Sequence, residues 1–183
     1  MDTLSDNALM LKVKNGDIEK MGLLYERYYR QLYRFLFNMT RQKELSEDMV
    51  QNIFLRMLKY PDGFMGFGEF KMWMYHIARN AVYDHFRKVK RTPSHSDVKD
   101  YEEKIEGEQH TDAPLEKEQE LKTLETAMEK LNDENRELLI LCRFQKLKYN
   151  EIAKILNTTE EAIKVRVHRA LNQLKSNYLK IEN

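Results

Sequence analysis

One cysteine, three prolines and six glycines stand among the 183 residues, and no stretch is both long and apolar. The single Cys142, inside "RELLILCRF", rules out an intramolecular disulfide and fits a reducing compartment. Its simplest reading is a small buried apolar residue, not a nucleophile. No run approaches the roughly 18 apolar residues of a membrane-spanning helix. The first residues, "MDTLSDNALMLK", hold neither a basic nor an apolar segment, so no export signal is expected. A cytoplasmic chain without membrane insertion is the expectation. Catalytic signatures are missing too: there is no P-loop, no dinucleotide fingerprint and no nucleophile–base pairing. His76 and His85 lie nine residues apart with no Cys, Asp or Glu set beside them, a poor metal site. Neither an enzyme nor a cofactor or metal is expected.

Net charge is almost absent as well, at +1, but the sum conceals a segregation. Basic residues exceed acidic ones by 16 to 11 over residues 1–91 and by 12 to 9 over 121–183. Between them, residues 92–120 carry 3 basic against 10 acidic residues. Two basic modules flanking an acidic segment suit a common polyanion, with a connection that does not stick to it.

What remains is rich in Leu, Lys, Glu, Met and Arg, which favours helix throughout. The prolines mark where helical periodicity breaks. Pro61 opens "PDGFMGFGEF", which also holds Gly63, Gly66 and Gly68 and reads as a loop. Pro93 and Pro114 bracket "TPSHSDVKDYEEKIEGEQHTDAP", polar and acidic, which reads as a flexible linker over 92–114. Helices are expected at 4–14, 17–40, 44–59 and 68–90 before the linker. After it they are expected at 115–130, 133–146, 149–156 and 159–180. The buried stripes predicted are Leu24, Tyr28, Leu32, Phe35 and Leu36 in the second helix and Leu45, Met49, Ile53, Met57 and Leu58 in the third. In the fourth they are Phe70, Trp73, Met74, Ile77, Ala81 and Phe86. No strand alternation and no internal repeat is found. The expected fold is all-α: two small helical domains, 1–91 and 115–183, on an acidic tether.

Near the C-terminus "YNEIAKILNTTEEAIKVRVHRALNQLK" has the layout of a helix-turn-helix. Asn157 tolerates the left-handed conformation that stops the first helix. Thr158 or Thr159 then caps the second, with Glu160 and Glu161 at its positive end. Ile163, Val167, Ala170 and Leu174 form one apolar stripe. Glu161, Lys164, Val165, His168, Arg169 and Asn172 occupy the other side. Cations reach phosphates and guanine edges, amides bond adenine, and small apolar groups touch thymine methyls. A merely solvated face is the plainer alternative; the turn, the second helix and the dense cations favour DNA.

The N-terminal module carries His76, Arg79, Asn80, Tyr83, Asp84 and Arg87 on the non-core face of its last helix, followed by Lys88, Lys90 and Arg91. Cations, an amide and aromatics in this mixture suit nucleic acid, unstacked bases included. The preceding loop offers Phe64, Met65 and Phe67 among glycines, able to close around a small flat group. Phe70 and Trp73 are better read as core.

These residues together resemble the small bacterial sigma factors of the extracytoplasmic-function type, over about residues 8–180. The family's E-D-x-x-Q-x-x-F helix is matched by "SEDMVQNIFLRM" and its W-x-x-x-I-A-x-N helix by "WMYHIARNAVYDHFRK". "LNDENRELLIL", "EIAKIL" and "IKVRVHRAL" are similar to its C-terminal pattern. The resemblance implies a promoter-specificity subunit of core RNA polymerase, with promoter DNA as ligand and an anti-sigma factor as regulator. The N-terminal domain would bind the −10 element and the polymerase clamp, and the C-terminal domain the −35 element. Asp48, Gln51 and Phe54 then match the clamp-docking helix. The loop at 63–69, with Phe64, Met65 and Phe67, matches the one that captures a flipped base. His76 and Asn80 match promoter-contacting positions, with Arg79, Arg87 and Lys88 on the same basic helix. Lys164, Val165, His168 and Arg169 match major-groove positions, while Arg166 serves packing or a phosphate. Glu161 stands where the family usually has glycine; it either accepts from a cytosine or favours the helix N-terminus. Two rival readings are a stand-alone helix-turn-helix regulator and a helical adaptor that binds only protein. Neither a sensor domain nor dimerisation heptads supports the first.

Overall fold

The computed structural model describes residues 4–66, 69–91 and 115–182, and every regular element among them is helical. The acidic segment 92–114 and Phe67 lie outside the described residues. Two units emerge, one built on the first four helices and the other on most of the last four.

The first unit opens with α1 (Asp6–Lys14), where the Ser5 hydroxyl accepts the Ala8 N–H at 3.3 Å. The chain turns at Gly16, whose φ of +100° is open to glycine and costly to a side chain. α2 (Lys20–Thr40) comes next and stops at Arg41, held left-handed at φ 56°. α3 (Lys43–Lys59) packs back along α2. A polar clasp holds their corner: Thr40 Oγ1 lies 3.0 Å from Ser46 Oγ, which itself donates to the Gln42 carbonyl at 2.6 Å. This clasp is why a serine is fully buried there. A 3-10 turn (Pro61–Gly63) leads towards α4 (Phe70–Arg91).

Leu24, Tyr28, Leu32, Phe35 and Leu36 are buried on α2 as their spacing predicts, as are Met49, Ile53 and Met57 on α3. Each such side chain contributes about 1.5–3 kcal/mol relative to exposure. Leu45 and Leu58 are only half-buried. On α4 the buried stripe is Phe70, Met74, Ala78 and Val82, with Met72 and Tyr75 beside it, while Trp73, Ile77, Ala81 and Phe86 stay half-buried. The stripe is rotated from its expected position because α4 packs against α1, α2 and α3 together. Its buried arc is therefore centred on Met74 and Ala78, and Tyr75 meets Phe35 edge-on at 5.5 Å.

The second unit is built on α5 (Leu115–Glu129), α6 (Asp133–Leu139), most of α7 (Tyr149–Ile155) and α8 (Glu160–Glu182). Asn132 caps α6 by accepting the Asn135 N–H at 2.8 Å. The single helix expected over 133–146 instead widens into a π turn at Ile140–Phe144, with the Gln145 N–H reaching the Ile140 carbonyl at 3.0 Å. The extra residue in this turn rotates the side chains beyond it relative to a regular helix. Ile140, Leu141 and Leu147 are all buried, and Cys142 is only half-buried. The left-handed Lys146, φ 53°, ends the turn.

Candidate nucleic-acid interface

The helix-turn-helix is assembled from local bonds. The Lys148 N–H donates to Glu151 Oε2 at 2.6 Å at the start of α7. Asn157 adopts φ 50°, the left-handed turn expected of it. Thr159, the second of the two candidates, supplies the cap: its Oγ1 accepts the Ala162 N–H at 3.2 Å. Ile152, Ala153 and Ile155 from α7 are buried, as are Ile163, Val167 and Ala170 from α8. Leu174 is only half-buried.

With that side inward, Glu161, Lys164, Val165, His168, Arg169 and Asn172 are all exposed on one face. Val165 leaves half its surface in water, an apolar spot among polar groups that a thymine methyl would cover. Lys164 pairs with Glu160 at 3.1 Å across one helical turn, and Asn172 lies 3.3 Å from His168 Nδ1. Exposed pairs of this kind are weak and easily exchanged for a phosphate. Arg166 turns from this face towards α6, with a guanidinium nitrogen 3.9 Å from Glu134. Asn135 Nδ2 donates to Gln173 Oε1 at 2.7 Å nearby. These two contacts tie α8 to α6 and set how its exposed face is presented; the sequence pattern alone does not reveal them.

On α4, His76, Asn80, Tyr83 and Arg87 recur at i, i+4, i+7 and i+11, opposite the Met74–Ala78–Val82 stripe. The Arg79 guanidinium lies 4.8 Å above the Tyr83 ring, and Arg87 pairs with Asp84. Lys88 is exposed at the margin. Burial and the neighbouring Lys88 charge hold His85 below its ordinary 6.5, favouring its neutral form.

The loop before α4 differs from its expected form. Phe64 is 2 % exposed, its ring 5.3 Å from Trp73 and 6.3 Å from Phe70, so it belongs to an aromatic cluster and is not a free platform. Trp73 lies against Gly63, where a β-carbon would sit 3.5 Å from the indole. Met65, by contrast, is 72 % exposed and faces solvent. Gly66 holds φ +75°. On α3, Asp48 and Gln51 are exposed, whereas Phe54 is buried with its ring edge-on to Tyr25 at 4.9 Å. Tyr25, Tyr29, Tyr33 and Phe37 continue along α2 as a ladder with ring centroids 5.2, 6.3 and 5.9 Å apart. The i, i+4 tyrosine spacing is the sequence signal that could have found it. Among the described residues no three His, Cys, Asp or Glu side chains gather as a metal site, and no helix is long and apolar enough to cross a membrane.

A helix-turn-helix unit and a second helical unit with a basic, aromatic-bearing helix define a class of multi-domain DNA-binding transcription proteins. Comparison with known proteins narrows the class. Sigma-70 region 2 matches residues 24–92 and Sigma-70, region 4 matches residues 121–174. The chain is 33 % identical over 166 residues to the RNA polymerase sigma factor YlaC of Bacillus subtilis, covering 86 % of this chain and 91 % of that one. It is 31 % identical over 159 residues to the ECF RNA polymerase sigma factor SigM of the same organism, covering 85 % and 93 %. The sigma factor RpoE from Bartonella quintana, solved in complex with the anti-sigma factor NepR, superposes with a TM-score of 0.67 at 26 % identity, over 88 % of this chain and 98 % of that one. The chain therefore belongs to the RNA polymerase sigma factors of the extracytoplasmic-function (ECF) type. Such a protein binds core RNA polymerase and directs promoter-specific initiation through −35 and −10 recognition.

Proposed function

We propose a division of that task among named residues. Residues 115–183 form the −35 domain, and Glu161, Lys164, Val165, His168 and Arg169 of α8 read the major groove. Residues 1–91 form the −10 and polymerase domain. Its loop at 63–69, through Met65 and the loop backbone, together with His76, Arg79, Asn80, Arg87 and Lys88 of α4, holds the melted strand. Phe64 underpins that loop from the aromatic cluster, and Phe67 belongs to the same segment. Asp48 and Gln51 dock on the polymerase clamp, with Phe54 fixing the pose of α3 from beneath. The acidic residues 92–114 link the domains. The protein works in the cytoplasm, carries no catalysis of its own, and is held inactive by an anti-sigma partner that covers these surfaces.

The observation that supports this reading best is the exposure of five groove-competent residues on one face of α8, behind a capped left-handed turn. Basic faces supply phosphate attraction that weakens with salt. Extruding a −10 base costs a few kcal/mol of unstacking, which loop contacts offset. The test is transcription from sheared source-genome DNA by purified core polymerase with and without the protein. Starts that appear only with the protein, and that share −35 and −10 sequences, support the assignment. Tight specific duplex binding by the free protein, with no polymerase-dependent starts, would favour the stand-alone regulator.

A further inference from the structure

α1 precedes the stretch matched by the family at residues 24–92, yet it touches the −10 loop at three points. Asn7 Oδ1 accepts the backbone N–H of Phe70 at 2.7 Å, one of the N–H groups that the first turn of α4 leaves without a helical partner. Lys14 Nζ donates to the Phe64 carbonyl at 3.1 Å and sits 3.5 Å from the Asp62 carboxylate. Leu11 lies against Gly66 of the loop, where a β-carbon would meet Leu11 Cδ2 at 3.4 Å. Asn7, Leu11 and Lys14 stand at i, i+4 and i+7, so a single stripe of α1 faces the loop.

These contacts fall on both ends of the segment. Phe64 at its entry is fixed by its buried ring and its bonded carbonyl, and Phe70 at its exit by its bonded N–H and its own buried ring. Exposed Met65 and left-handed Gly66 lie between these anchors. A loop that must accept one base and reject others gains discrimination when its shape is set before the base arrives. Asp6, one residue earlier, anchors α1 to α2 by accepting from Tyr28 Oη and Arg27 Nη1, each at 2.5 Å. The brace is thus itself held.

We propose that α1 is a positioning element for −10 recognition, with Asn7, Leu11 and Lys14 as positioning residues that set base discrimination at Met65 and Gly66 through their hold on Phe64, Gly66 and Phe70. This rests on the assignment of that loop to the −10 strand. The test uses source-organism core polymerase reconstituted with each full-length variant and two promoter libraries, one randomised across the melted −10 positions and one across −35. Transcripts are counted by sequencing. Wild type is expected to show a base preference in both. Asn7→Ala and Lys14→Met are expected to flatten the −10 preference by about three- to tenfold, the size of one lost hydrogen bond, with the −35 preference unchanged. Asn7→Asp keeps an acceptor for Phe70 and is expected to retain the preference. Variants that keep the full −10 preference, or that lose output evenly across both libraries, would overturn the role of α1. A wild type that shows −35 preference but none at −10 would instead remove the underlying loop assignment, and this proposal with it.

Discussion

The two surfaces proposed to face DNA are built in opposite ways. On α8 the residues proposed to read the groove stand on one continuous helix, and all of them are exposed. The proposed −10 surface is spread over a loop, α4 and the braces of α1, and its Phe64, Phe70 and Trp73 rings are committed to packing on one another. A helix can meet a duplex groove as a rigid body with little preparation. Capturing an unstacked base needs a pocket, and a pocket must be assembled from several elements.

The largest expected effect separates a core role from a contact role for Phe64. Phe64→Ala should destabilise the N-terminal unit by about 3–5 kcal/mol, because it empties the space beside Phe70 and Trp73. Urea unfolding measures it; a change below about 1 kcal/mol, on the order of a surface substitution, would return Phe64 to the DNA-contacting set. Arg169→Ala is the converse case. It should leave unfolding unchanged and weaken −35 duplex recognition by about 1–3 kcal/mol, seen as a loss of −35 dependence in transcription. Next, Thr159→Ala removes the cap of α8 and should cost about 1 kcal/mol in the C-terminal unit, read from its thermal midpoint. The smallest effect is one of pH. His85 is depressed below 6.5 in the fold, so the unfolded chain takes up its proton first as pH falls. Stability of the N-terminal unit should therefore fall slightly as pH drops through 6.5, and His85→Gln should remove that part of the slope.

The same contrast explains what can be read from the chain. The helix-turn-helix is legible because its signals are local: Asn157 for the turn, a threonine cap, and the Ile163–Val167–Ala170 spacing. The Leu24–Tyr28–Leu32 stripe of α2 is legible for the same reason. The α4 stripe is misjudged from sequence because three neighbouring helices, and not its own periodicity, decide which arc is buried. Phe64 and Phe54 sit in motifs that look exposed in one dimension, and only the packing of Trp73 and Tyr25 against them shows otherwise. The π turn at Ile140–Phe144 leaves no mark, since every residue there is compatible with a regular helix. The bonds of Asn7 and Lys14 span 63 and 50 residues of chain and have no local signature at all.

The central claim is that the two units read different forms of DNA. Photo-crosslinkers placed at Met65 and at Val165 in separate holoenzyme–promoter complexes test it directly. The Met65 probe should attach only to the melted strand of the −10 region and only once the promoter has opened. The Val165 probe should attach to the −35 duplex before and after opening. Equal attachment of both probes to duplex DNA, or a Met65 adduct that forms without melting, would contradict the claim.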